Sequence, residues 1–136
     1  METSLHQFPN APPRDWFRRR RQKRRTPPPE IDTIIANTIC SIYRIDASLL
    51  HGTSRGSANV ALARQVAMYL AHVVGRLDYT GVGRLYGRDR TTVKYACAVV
   101  EDMRDDPAFD LTIHLLERIV ERTCWLTIGR GEEVVH

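Results

Sequence analysis

A chain of 136 residues with net charge +4, 43% hydrophobic and 26% charged, has the composition of one globular domain with a modest core. No apolar run approaches the roughly 20 residues that a membrane-spanning helix needs, and the N-terminus lacks the apolar core of a secretory signal, so a cytoplasmic protein without membrane contact is expected. Three scattered cysteines (Cys40, Cys97, Cys124) and five histidines without paired spacing argue against a disulfide framework or a zinc site; no metal, cofactor or small-molecule substrate is expected.

Residues 1–29 read as a disordered basic arm. They hold eight Lys/Arg against two acids, a net of +6, which leaves −2 for the rest of the chain. Between two proline clusters lie Arg18, Arg19, Arg20, Arg21, Lys23, Arg24 and Arg25. Self-repulsion and low apolar content keep such a stretch open. It suits polyphosphate backbones, whether DNA or RNA, with salt-sensitive and sequence-independent affinity.

From Ile31 the pattern changes. Ile31, Ile34, Ile35, Ile39 and Ile42 recur at helical spacing and predict a helix over 30–44. Asp46 caps a short helical turn through Leu49 and Leu50. The Gly/Ser-rich stretch 51–59 predicts a loop. A second helix over 60–74 presents Val66, Leu70, Val73 and Val74, with Gly75 ending it. Asp78 and Gly87 bracket a short third helix holding Val82, Leu85 and Tyr86. Asp89 caps a fourth helix over 90–104, whose buried stripe is Val93, Ala96, Cys97 and Val100. Asp106 and Pro107 start a fifth helix, reaching to about Trp125, that buries Ile113, Leu116, Ile119 and Val120. The tail 127–136 is expected to fray. The domain is thus residues 30–126, all-α, with about five helices and no period-two strand pattern.

The third and fourth helices with their tight turn outline a helix-turn-helix. The second helix of such a unit offers its amino end to the major groove. Here that end carries Asp89, Arg90, Thr91, Lys94 and Tyr95. Aspartate accepts from cytosine N4, a threonine methyl packs on a thymine methyl, and arginine grips guanine O6 and N7.

The stretch GRDRTTVKYAC (87–97) resembles the signature G-R-D-H-T-T-V-x-H-A of the C-terminal DNA-binding domain, domain IV, of the bacterial replication initiator DnaA. ARQVAMYLA (63–71) resembles a second helix of that domain, and IDTIIANTICSIYRIDASLL (31–50) its first. The resemblance spans about Ile31 to Val120. It implies a Trp-repressor-like all-α fold that binds double-stranded DNA. It further implies that Asp89 reads a cytosine, Thr91 packs on thymine methyls, and Thr92, Arg64 and Gln65 hold the DNA backbone. Arg88 joins this backbone group. Arg55 is the arginine of the loop whose family counterpart enters the minor groove, although this loop is longer and less basic than the family's. The family histidine after the aspartate is Arg90 here, which implies a changed target, with guanine favoured where the family reads thymine.

A nucleotide-binding G-x-x-x-x-G-K-[ST] loop is absent, so no ATPase and no enzyme of another kind is expected. The leading expectation is a sequence-selective DNA binder associated with the nucleoid: a bacterial transcriptional regulator, or a competitor at initiator-like replication sites. The alternative is a protein adaptor that uses the fifth helix, with the arm holding nucleic acid non-specifically. Trp125 and Leu126 are compatible with either a homodimer contact or the edge of the core.

Overall fold

Side-chain caps and left-handed turns divide this chain into helices. The computed structural model describes residues 30–52 and 56–134, with side chains through Thr127. The expected arm, with Arg18–Arg21, Lys23, Arg24 and Arg25, lies outside the described residues, as does Arg55. Six helices follow in order: α1 Ile31–Tyr43, α2 Ala47–Leu50, α3 Ala58–Val73, α4 Tyr79–Tyr86, α5 Arg90–Met103 and α6 Pro107–Val134. None of them is long and apolar enough to cross a membrane. The second of them, α2, is the short turn after α1, which forms a helix of its own.

Ser57 starts α3 by accepting from the Val60 N–H at 3.3 Å, two residues before the helix predicted at Val60. Asp106 caps α6 through the Phe109 N–H at 3.0 Å. A missing backbone N–H at Pro107 leaves one fewer orphan donor to satisfy there. Two helix ends differ from expectation. α6 does not stop near Trp125 but continues to Val134, over most of the stretch expected to fray. After α3 the left-handed residue is Arg76 (φ 63), not Gly75. Gly75 instead answers a close approach, since a Cβ there would meet the Ala71 carbonyl oxygen at 2.5 Å and Ile31 Cγ1 at 3.1 Å.

α3 is the strut of the core. It buries residues on nearly every side, from Val60 and Ala63 through Val66, Ala67 and Leu70 to Ala71, the pattern of a helix surrounded by others. α1 and α5 lie against it, α4 packs on α5, and α6 crosses α1 and the flank of α3. Ile35 and Ile39 of α1, Val82 of α4, Val93 and Val100 of α5, and Ile113, Leu116 and Val120 of α6 meet in one cluster.

Three apolar residues depart from their predicted faces. Ile42 and Val73, at 51% and 40% exposure, occupy the last turns of α1 and α3, where the stripes run past the elements that cover them. Ile119 is 45% exposed because the stripe α6 buries is Ile113, Leu116, Val120 and Cys124. A helix turns about 100° per residue, so Ile119 points well away from the centre of that stripe.

The carboxyl end of α5 is tied down by Arg104. Its Nε donates to Asp110 Oδ1 at 2.6 Å, and its Nη1 donates to the Tyr69 hydroxyl at 3.0 Å and to Glu117 Oε1 at 3.2 Å. Burial works against the guanidinium charge, but the Asp110 and Glu117 carboxylates and the tyrosine hold its pKa above the ordinary value. One side chain thereby joins α5, α6 and α3.

One turn beyond Glu117, Glu121 is half-buried. Burial raises its carboxyl above the usual range, the Glu117 charge adds to this, and Arg118 and Arg76 oppose it. An acid with a raised folded pKa holds its proton more tightly in the native state. Its contribution is therefore most favourable at low pH and declines as pH rises from the unfolded value of about 4.3 through the folded one. The expected outcome is that Glu121→Gln raises Tm at pH 7 relative to the parent and flattens the fall in Tm from acid to neutral pH, as followed by circular dichroism melts.

Candidate nucleic-acid interface

The helix-turn-helix is set by its caps. Asp78 Oδ1 accepts from the Gly81 N–H at 2.7 Å and starts α4. Just upstream, the His72 ring bonds through Nδ1 to the Leu77 carbonyl at 2.8 Å and stacks on Tyr79 at 4.5 Å, which fixes how α3 hands the chain to α4. α4 ends at Gly87, in the left-handed region at φ 64, while the Arg88 N–H returns to the Gly83 carbonyl at 2.9 Å. A Cβ at Gly87 would meet nothing within 4 Å, so the glycine is there for its backbone angle alone.

Asp89 is extended and accepts from the Thr92 N–H at 2.8 Å, starting α5. The Thr92 backbone N–H, then its hydroxyl, hold the exposed Asp89 carboxyl below its ordinary pKa, so it is an anion at neutral pH. These bonds use only part of the acceptor capacity of the two oxygens.

α5 turns Val93, Ala96, Cys97 and Val100 into the core. On its outer side Arg90, Thr91, Thr92, Lys94, Tyr95 and Ala98 are all exposed. Of the residues expected to face base pairs, Asp89, Arg90, Thr91 and Lys94 thus gather at one uncovered helix end. Glu101 and Asp102 stand exposed toward the other end. The surface of α5 therefore runs from cationic to anionic, in the same sense as the helix dipole.

The residues expected at a phosphate backbone separate into two kinds. Thr92 is exposed and Gln65 is partly exposed. Arg64 is only 7% exposed, and its Nε and Nη2 donate to the Leu49 carbonyl at 2.9 and 2.6 Å. It serves an orphan carbonyl at the end of the four-residue helix α2. Burial, and then the nearby Arg88 charge, lower its pKa. Arg88 is half-buried, with Nη2 donating to the Gly52 carbonyl at 2.8 Å.

Sequence reasoning missed one more clamp on the same segment. His51 lies stacked on Tyr86 with ring centroids 5.1 Å apart, and its Nε2 is 3.1 Å from Asp32 Oδ1. Leu49, His51 and Gly52 are thus held by α3, by α1 and α4, and by the helix-turn-helix turn respectively. The chain up to Gly52 is thus fixed by the same turn that aims α5. No local spacing announces the His51–Tyr86 contact, since the two residues are far apart in sequence.

Comparison with known proteins places this geometry among relatives. The family model of the bacterial dnaA protein helix-turn-helix matches residues 31–100. The chain is 37% identical over 89 residues to the chromosomal replication initiator protein DnaA of Bordetella pertussis, a match covering 64% of this chain and 19% of that protein. It is 34% identical over 92 residues to DnaA of Lachnoclostridium phytofermentans, covering 66% and 20%. With DnaA 2 of Chlamydia muridarum the identity is 39% over 67 residues, covering 49% and 14%. The matched part is about a fifth or less of the length of these curated relatives.

The turn between α4 and α5 lies inside the matched region, and Gly83 is its tightest point. A Cβ at Gly83 would collide with the Arg88 carbonyl oxygen, which is backbone and has no rotamer to escape into. Gly83→Ala is expected to destabilise the fold by about 2 kcal/mol, which for a domain of this size lowers Tm by roughly 5–10 °C in a thermal melt. Gly87→Ala, strained only through its φ, is expected to cost about 1 kcal/mol.

Proposed function

Because this chain belongs to the bacterial DnaA helix-turn-helix family, we propose that it binds double-stranded DNA and selects its sites by sequence through the amino end of α5. The observation that carries this reading is the exposed set Asp89, Arg90, Thr91 and Lys94 at the start of a helix whose opposite side is buried. Asp89 accepts from a cytosine amino group, Thr91 offers its methyl to thymine, and Arg90 grips a guanine where the family pattern has a histidine. Thr92 and Gln65 contact phosphates, joined by the edge of Arg88. Arg64 acts behind them by fixing the segment at Leu49. Arg55 enters the minor groove, and the basic arm adds salt-sensitive affinity.

The charge gradient along α5 supports docking by its amino end. Arg90 and Lys94 lie at the end that approaches the duplex while Glu101 and Asp102 stay at the far end. In the cell this makes the protein a nucleoid-associated regulator of transcription, or a competitor at initiator-like sites, acting without ATP hydrolysis.

A second reading, a protein adaptor, is favoured by one observation. Leu111, Leu115, Ile119 and Leu126 are each about half exposed on the side of α6 opposite its buried stripe. Four large apolar side chains on one helix face suit a helix-to-protein contact. Under this reading Leu111→Gln with Leu115→Gln abolishes stoichiometric capture of a protein from nuclease-treated extract and leaves DNA affinity unchanged.

Selection of sites from random duplexes tests the main reading. The chain is expected to enrich a defined sequence, and Arg90→Ala to lose roughly tenfold in affinity at one guanine position. Asp89→Asn keeps a good cap, so Tm stays near the parent's while the preference for cytosine at one position disappears. An Asp89→Asn, Arg90→Ala double variant that enriches the parent's sequence unchanged would overturn base reading by this helix end.

A further inference from the structure

The outer face of α5 holds a residue the base-reading set leaves out. Tyr95 is 67% exposed, more than any other large hydrophobic side chain among the described residues. It lies one turn beyond Thr91 and one turn before Ala98, and both are exposed as well. The three line one face, roughly opposite buried Val93 and Val100. The helix rises 1.5 Å per residue, so Tyr95 sits about 6 Å further along the axis than Thr91. That is close to two steps of a base-pair stack.

The chemistry of this strip differs from that of the helix end. Arg90 and Lys94 supply cations on its flank, while the strip itself presents a threonine methyl, an aromatic ring and an alanine methyl. In the major groove the one apolar feature of a base pair is the thymine C5-methyl group. Resting on the assignment of α5 to the major groove, we propose that Tyr95 is a specificity-determining residue whose ring packs on a thymine methyl, about two steps along from the pair that Thr91 faces. The ring carries the contact and the hydroxyl does not, because the neighbours along the strip are methyl groups. Burying the ring between protein and groove also removes the largest exposed apolar surface on α5 from water.

The test uses the full chain and its Tyr95→Phe and Tyr95→Ala variants, with site selection followed by affinity measurements on the enriched duplex. Tyr95→Phe is expected to enrich the parent's sequence. Tyr95→Ala is expected to melt at the parent's temperature and to lose roughly fivefold to tenfold of the discrimination at one thymine position. Replacing that thymine by deoxyuridine, which removes only the methyl group, then weakens the parent and Tyr95→Phe by a similar factor and leaves Tyr95→Ala unaffected. The proposal is overturned if Tyr95→Ala enriches the parent's sequence with undiminished discrimination. It is also overturned if deoxyuridine weakens parent and Tyr95→Ala equally. A parent chain that enriches no sequence would overturn the major-groove reading itself, a result distinct from failure at Tyr95 alone.

Discussion

A backbone carbonyl decides where this domain's exposed helix points. The Arg88 oxygen approaches the Cα of Gly83 so closely that only a residue without a Cβ fits. That contact sets the angle between α4 and α5, and Gly87, at φ 64, supplies the turn that permits it. Two glycines act together for different reasons, one for space and one for conformation. Because packed elements do not deform continuously, a larger residue at Gly83 would displace α5 as a body instead of bending it locally.

The far end of α5 is fixed by electrostatics and not by fit. Arg104 reaches Tyr69, Asp110 and Glu117 together, and so joins three helices at the point where α5 ends. A buried guanidinium is costly to desolvate, and only carboxylates with good geometry offset that cost. Here Asp110 offers the closest bond, and it is the more exposed of the two acids, at 49% against 16% for Glu117. The network thus keeps one partner near water, which limits the penalty while holding the geometry. A helix pinned at both ends presents its outer face in one orientation, as a reading surface requires.

Much of this was legible because capping chemistry is local. Asp78, Asp89, Asp106 with Pro107, and Gly87 each mark a helix end within three residues, and the structure uses each of them there. Long-range contacts were not legible in that way. The His51 stack on Tyr86 and the Arg88 bond to Gly52 depend on the packed core bringing distant segments together. Arg64 is an intermediate case. It stands four residues after Val60 and three before Ala67, both buried, so helical spacing already put it on the inner face. Its charge drew attention outward, yet a short helix ending at Leu50 leaves carbonyls that need a donor, and Arg64 provides one. The length of α6 was hidden for a different reason. The tail was expected to fray as chain ends do, but the glycines it contains each cost a helix only about 1 kcal/mol, too little to end one already begun.

Asp89 shows how one side chain can be both a helix cap and an exposed anion. Its carboxylate holds the Thr92 N–H, and the same bond lowers its pKa and keeps it charged. An anion at a helix start is favoured by the dipole but repelled by phosphates. Such a residue is tolerated near a duplex where cations flank it, and Arg88 and Arg90 are its immediate neighbours in the chain. Once the cap is made, the remaining acceptor capacity of Asp89 faces solvent in a fixed direction, without a further loss of side-chain freedom on binding. Arg90 and Lys94 have no such tether, and fixing long side chains of this kind always carries an entropic cost. A rigid acceptor beside mobile donors divides the labour. The aspartate is held in one geometry by its cap bond, while the longer cations beside it keep their side-chain freedom.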